Sequence, residues 1–155
     1  MVFDKNQDME KVLFVCHGNI CRSPMSEFIM KKAVRDSGRG DGFEIDSAAT
    51  SREEIGNDIY PPAKAVLRRH GIPFQSRRAR QITASDLSYY DHIFVMDRNN
   101  LRNLQRMFGV LPDKVRMLMS LCGESRDVAD PWYTGDFEST YSDITSALNA
   151  WLRVS

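Results

Sequence analysis

Three observations predict an α/β fold with a parallel sheet for these 155 residues. Short apolar runs, among them Val12 to Val15 and His92 to Met96, alternate along the chain with stretches whose apolar residues recur at helical spacing. The first run is continuous rather than alternating, the pattern of a strand covered on both faces. Turn-rich breaks such as Asp36-Ser37-Gly38-Arg39-Gly40-Asp41-Gly42 separate the two kinds of segment. A sheet of this kind, covered by helices, binds its ligands outside the carboxyl ends of its strands.

Met1 to Glu10 is polar, lacks the apolar core of a signal peptide, and is expected to form a flexible arm before a single domain, residues 11–155. Lys11 to Val15 is the first strand. After it, Ser23 offers an N-cap, Pro24 suits a first helical turn, and Met25, Phe28, Ile29 and Ala33 fall on one helical stripe. Phe43 to Asp46 is a second strand, and Ser47 to Pro62 is expected to be loop. Ala63, Val66 and Leu67 mark a helix closed by Gly71, with the cations Arg68, Arg69 and His70 in its last turn. Thr83 and Asp86 have capping-box spacing. His92 to Met96 is the third strand, Asn99 to Phe108 a helix, and Val115 to Met119 the fourth strand. From Asp136 on, Phe137, Tyr141, Ile144, Leu148, Trp151 and Leu152 form a last helical stripe.

Composition sets the outer limits. With 42% apolar and 27% charged residues the chain fits one ordinary domain. Twenty-one basic residues balance twenty-one acidic ones, so no overall field recruits nucleic acid or an anionic membrane. No stretch approaches the roughly 18 apolar residues of a membrane span. Three cysteines without scaffold-like spacing argue against a disulfide framework and for a reducing cytoplasm. His70 and His92 lack metal-ligand spacing, so no metal is expected. The arginines at 68, 69, 77, 78 and 80 are expected on a solvated face, and Cys122 as a small buried thiol.

The chemistry gathers in Cys16-His17-Gly18-Asn19-Ile20-Cys21-Arg22-Ser23. A strand, a tight loop and a helix N-terminus in that order converge backbone N–H groups on one concavity, and the helix dipole adds partial positive charge. Arg22 contributes a planar fork of donors that matches phosphate oxygens in pairs. The G-x-x-x-x-G-K-[ST] nucleotide loop is absent, and a thiol stands where the strand ends. The groups that bind phosphate would also stabilise a Cys16 thiolate, so the anion site doubles as a nucleophile site.

This loop resembles the signature of the low-molecular-weight protein tyrosine phosphatases. The likeness continues through Asp46-Ser47-Ala48-Ala49-Thr50-Ser51, Arg69-His70-Gly71-Ile72, Ala79-Arg80-Gln81-Ile82-Thr83, Met96-Asp97 and Asp130-Pro131-Trp132-Tyr133, nearly the whole chain in order. The resemblance implies a sheet of order 2-1-3-4 and a cofactor-free hydrolysis of phosphotyrosine in proteins, with inorganic phosphate as product and the enzyme a monomer. Cys16 would be the nucleophile, with Arg22 and the N–H groups of His17, Gly18, Asn19, Ile20 and Cys21 holding the phosphoryl oxygens. Asp130 would be the general acid and base. Ser23 would donate to the Cys16 sulfur or cap the helix, and Asn19 would hold the loop's shape with Ser47 as partner. Many relatives finish that network with a histidine where this chain has Arg77, so here it must end differently. Trp132 and Tyr133 would clamp the phenyl ring from one rim, and Glu53 replaces an aromatic residue on the other. Cys21, five residues from Cys16, would act as a redox partner that traps an oxidised nucleophile as a disulfide.

Two other activities share the resemblance. Thioredoxin-coupled arsenate reductases carry the same Cys-x5-Arg loop, but need two further cysteines close together in the later chain, where only Cys122 stands. A protein-arginine phosphatase subgroup typically has threonine at the position of Ile20, and Ile20 offers a guanidinium no polar contact.

Overall fold

The computed structural model describes residues 9–154. Four strands form one parallel sheet in the order β2-β1-β3-β4, as the resemblance implied. They are β1 (Glu10–Cys16), β2 (Phe43–Ala49), β3 (His92–Val95) and β4 (Val115–Met117). The helices are α1 (Arg22–Asp36), α2 (Pro61–Arg69), α3 (Ala84–Tyr89), α4 (Arg98–Phe108), α5 (Pro131–Thr134) and α6 (Phe137–Leu152). No helix among the described residues is long and apolar enough to cross a membrane.

The central strand explains the layers. Val12, Leu13, Phe14 and Val15 are fully buried because successive side chains point to opposite faces and both faces are covered. Val12 and Phe14 join the larger core with Met25, Ile29 and Met30 of α1 and Ile144 and Leu148 of α6. Leu13 and Val15 enter the smaller core with Ile93, Val95 and Leu104 of α4. Phe14 pairs with Phe94 across the β1–β3 register, their rings 5.9 Å apart. Cys16 therefore ends a strand fixed on both sides, and Thr50 N donates to its carbonyl at 2.9 Å.

Several sequence expectations are corrected. The arm expected over residues 1–10 lies outside the described residues up to position 8, and Glu10 belongs to β1, paired with Phe43. β2 does not stop at Asp46: Ser47, Ala48 and Ala49 continue it opposite Phe14, Val15 and Cys16. Small residues of weak strand propensity extend there because pairing with a buried neighbour outweighs propensity. β4 is only three residues long, and Leu118–Cys122 turns as a 3-10 helix. Ser23 is not a cap: α1 begins at Arg22 with Cys21 in the cap position and no side-chain cap bond. The Ser23 hydroxyl is instead drawn to groups of the loop, described below.

The two chemical segments outside the first loop are also placed by local rules. α4 starts at an Asp97 N-cap whose Oδ1 accepts from Asn100 N at 2.7 Å, which fixes that carboxylate just beyond the end of β3. α5 starts at Asp130, whose Oδ1 accepts from Trp132 N at 3.0 Å with Pro131 in the first turn. His70 stacks on Tyr141 and His92 packs edge-on to Trp151, both away from the loop that follows β1.

Candidate active site

The loop after β1 closes around the Cys16 sulfur. Cys16 is 3% exposed, and its Sγ accepts from Asn19 N at 3.3 Å and lies 3.0 Å from Ser23 Oγ. Asn19 holds a left-handed backbone, φ 59°, a conformation asparagine tolerates better than most residues. Its side chain turns away from the pocket, so only its backbone can serve the substrate role expected of it. Asn19 Nδ2 donates to Ser23 Oγ at 2.8 Å and to Ser47 Oγ at 2.9 Å. Ser47 in turn donates to Glu27 Oε1 at 2.6 Å, and Lys31 holds the other Glu27 oxygen at 2.6 Å.

The acceptor of the Asn19 amide is satisfied by two groups: Arg77, which stands where many relatives carry a histidine, and the Arg80 N–H, which the sequence reading left out. Arg80 N donates to Asn19 Oδ1 at 3.2 Å, and the Arg77 guanidinium donates to the same oxygen in a short hydrogen bond. Arg77 therefore ends the network as a cation facing inward, not as part of a solvated basic face. Burial lowers its pKa, partly opposed by the negative charges of Glu27, Cys16 and Asp58. Arg80 is likewise engaged, bonding Asp86 at 2.8 Å and Asp46 at 3.2 Å. Cys122, expected buried, is half-buried and remote, its thiol directed at Met119 O.

Arg22 is 2% exposed and held from the far side of the pocket. Its NH1 donates to Asp97 Oδ2 at 2.7 Å and to Val128 O at 2.8 Å, and its NH2 reaches Asp130 Oδ2 at 3.5 Å. Burial works against its charge, but Cys16, Asp97 and Asp130 outweigh that cost and raise its pKa. Asp97 was quoted in the sequence likeness without a role; an acid at a strand's carboxyl end that also caps the next helix was the available signal. Glu27 carried a weaker one, as a charge inside the apolar run Met25 to Met30.

A cavity of about 130 Å³ opens over the sulfur, with Cys16, Cys21 and Arg22 at its base and Ile20, Trp132 and Tyr133 among its walls. His17, Gly18, Glu53 and Asp130 also line it, together with Glu54, which had not been anticipated. Trp132 is 53% exposed and leans on Tyr60 with ring centroids 4.9 Å apart, while Tyr133 is almost fully exposed. Glu53 Oε2 bonds His17 Nε2 at 3.0 Å across the mouth. The Cys21 thiol is buried, and burial together with the charges of Cys16 and Asp130 pushes its pKa up. The geometry thus offers a buried sulfur bonded by the Asn19 N–H, a guanidinium and a carboxylate around one narrow space.

A family model described as low molecular weight phosphotyrosine protein phosphatase matches residues 11–154. The chain belongs to that family. It is 40% identical over 153 residues to the low molecular weight phosphotyrosine protein phosphatase of Homo sapiens, covering 95% of this chain and 96% of that protein. The crystal structure of YfkJ from Bacillus subtilis superposes with a TM-score of 0.89 at 37% identity, covering 94% of this chain and 93% of that one. The crystal structure of DARP, a Drosophila arginine phosphatase, superposes with a TM-score of 0.83 at 32% identity over 92% of this chain and 96% of that one. Family membership joins the site to phosphoryl transfer, and the remaining question is which phosphoryl group the pocket accepts.

Proposed function

We propose that this protein is a protein tyrosine phosphatase, a hydrolase of phosphoric monoesters that works through a phosphocysteine on Cys16. The observation that carries the reading is the convergence of Cys16, Arg22 and Asp130 on one cavity, with Ser23 Oγ buried 3.0 Å from the Cys16 sulfur. In the first step the Cys16 thiolate attacks phosphorus and the P–O bond to the tyrosine breaks. Asp130 gives its proton to the departing phenol oxygen. Arg22 and the loop N–H groups hold the equatorial oxygens, where charge gathers in the transition state. In the second step water attacks phosphorus, Asp130 takes a water proton, and the P–S bond breaks to release inorganic phosphate. The Ser23 hydroxyl, already 3.0 Å from the sulfur, stabilises the thiolate that leaves.

The depth and lining of the cavity favour an aromatic ester. Ile20, Trp132 and Tyr133 present an apolar slot to a ring, and the substrate partner is a protein carrying phosphotyrosine. The similarity to an arginine phosphatase supports a second reading, phosphoarginine hydrolysis on the same cysteine. Ile20, nearly buried at the cavity wall, gives a guanidinium no hydrogen bond and weighs against it. Three free thiols suit a reducing, cytoplasmic setting.

The test is a series of aryl phosphates with leaving groups of increasing pKa, assayed with the parent, Cys16→Ser and Asp130→Ala proteins. Cys16→Ser should retain phosphate binding and lose turnover. Asp130→Ala should slow poor leaving groups far more than good ones; equal slowing would remove Asp130 as the acid. Faster turnover of phosphoarginine than of phosphotyrosine would reverse the substrate assignment.

A further inference from the structure

A second concavity of about 370 Å³ adjoins the catalytic cavity and shares His17, Arg22, Asp130 and Tyr133 with it. Tyr133, 84% exposed, stands where the two meet. The far wall is one face of α4, formed by Asn99, Arg102, Asn103 and Arg106 at i, i+3, i+4 and i+7. Arg102 and Arg106 are exposed, and each donates to an asparagine amide one turn back: Arg102 to Asn99, Arg106 to Asn103 at 3.3 Å. Among the described residues neither guanidinium forms a salt bridge, unlike Arg22, Arg69, Arg80 and Arg126. The carboxylates of the groove, Asp97 and Asp130, lie at its near end and are turned to Arg22. The near-end carboxylates are thus engaged by a cation, and the far end presents two guanidiniums. The rim of the catalytic cavity itself is acidic, with Glu53 and Glu54, neither of which lines the second concavity.

We propose that this groove is a substrate subsite that receives acidic side chains of the polypeptide flanking the phosphotyrosine; the proposal rests on the phosphatase reading of the adjoining cavity. Arg102 and Arg106 lie about 6 Å apart along the helix axis. Alternate side chains of an extended peptide recur at about 6.6 Å and fall on the same face. Two acids at alternate positions thus match the two guanidiniums, each of which can grip a carboxylate with paired donors. Glu53 and Glu54 repel the same acids from the catalytic rim, so the bound peptide acquires a direction across the mouth.

The experiment uses phosphotyrosine peptides with two aspartates at alternate positions, placed on the amino or the carboxyl side of the phosphotyrosine, each compared with its asparagine counterpart. The quantity read is the ratio of kcat/KM for the aspartate peptide to that for the asparagine peptide. At low salt the parent should favour aspartate on one side only, by roughly three- to tenfold, the scale of two screened surface ion pairs. The double variant R102Q/R106Q should bring that ratio close to one, and R102K/R106K should keep most of it. Half-molar salt should also collapse the parent's ratio. A ratio that survives in R102Q/R106Q, or a parent indifferent to aspartate on both sides, would overturn the subsite while leaving the phosphatase intact. Hydrolysis of neither phosphopeptides nor aryl phosphates would instead overturn the phosphatase reading and the subsite with it.

Discussion

Replacing Arg77 by methionine separates what the loop network does for catalysis from what it does for stability. The guanidinium donates to Asn19 Oδ1 and to Asn57 O at 3.3 Å, and methionine keeps a stem of similar length without the charge. A hydrogen bond to a charged donor contributes about 1.5–3 kcal/mol in favourable sites. Here the pKa of Arg77 is lowered, so burial costs the charge more than Glu27, Cys16 and Asp58 return. Burial thus disfavours the charge, while its removal takes one of two donors from Asn19 Oδ1, so the two effects on stability oppose each other. Expected is a melting temperature within about 2–4 °C of the parent, since about 1 kcal/mol moves a domain of this size by that much. Activity should fall, because Asn19 keeps only the Arg80 N–H on its acceptor and the loop's inward N–H groups lose part of their fixing. If about half of the lost bond is expressed in the transition state, kcat/KM for an aryl phosphate drops roughly 4- to 13-fold. The assay pairs thermal melts with kcat/KM, with Arg77→Lys as a variant that retains charge and recovers part of the rate. A melting temperature lowered by 5 °C or more with kcat/KM intact would refute the assignment and make Arg77 a structural residue only.

The remaining expectations concern redox chemistry, the rim and acid stability. After peroxide converts Cys16 to a sulfenic acid, attack by the Cys21 thiolate would form the disulfide and release hydroxide; because the Cys21 pKa is raised, the fraction of enzyme recovered by dithiothreitol should grow with pH between 6.5 and 8.5, and a flat recovery, or one unaffected by Cys21→Ser, would show that Cys21 is not the resolving thiol. Glu53→Tyr should raise kcat/KM for acidic phosphopeptides by less than about tenfold, an advantage that added salt shrinks, and no change at low salt would place Glu53 off the substrate path. Against the cost of burial, Lys64 and the N–H groups of Ile59 and Arg77 hold Asp58 at a pKa of about 2, below its ordinary 3.8. Its stabilisation is thus present above pH 3.8 and fades as pH falls through 2, so Asp58→Asn should cost about 1 kcal/mol near neutrality after allowance for partial exposure, and almost nothing near pH 2, by chemical denaturation at the two pH values.

The sheet and the reactive loop were legible because both are written locally. A buried apolar run, a turn and a helical stripe within some twenty residues define β1, the loop and α1 without reference to distant parts. What was not legible depends on partners far away in sequence. Ser23 has the chemistry of a cap, yet its hydroxyl is taken by Cys16 and by Asn19. Ser47, Ala48 and Ala49 have no strand pattern of their own and become strand only beside β1. Arg77 and Arg80 look solvated in a run of cations, and only the fold shows that Asn19, 58 and 61 residues earlier, draws both. Asp97 is the intermediate case: the acid is visible at a strand end, but its grip on Arg22 is not.

The cost of these distant partners explains why they surround this loop and no other. Asn19, Ser23, Ser47, Arg22 and Glu27 are all buried, and a buried polar group left unpaired costs about 1–3 kcal/mol. Asn19 adds a left-handed backbone that an ordinary side chain would resist. Each of these groups is bonded, so the network holds one loop shape before any phosphate arrives. The consequence is kinetic: a loop whose shape is already fixed needs no reorganisation when charge develops beside it. Arg22 stands apart from that rigid side, because its partners Asp97, Val128 and Asp130 come from the β3 and α5 ends of the sheet. A phosphoryl group arriving at Arg22 must share it with Asp97 and Asp130, whose carboxylates stand 2.7 and 3.5 Å from it. On the proposed mechanism, the guanidinium that binds the phosphoryl group thereby also holds the acid's carboxylate beside it, so one side chain sets the position of both.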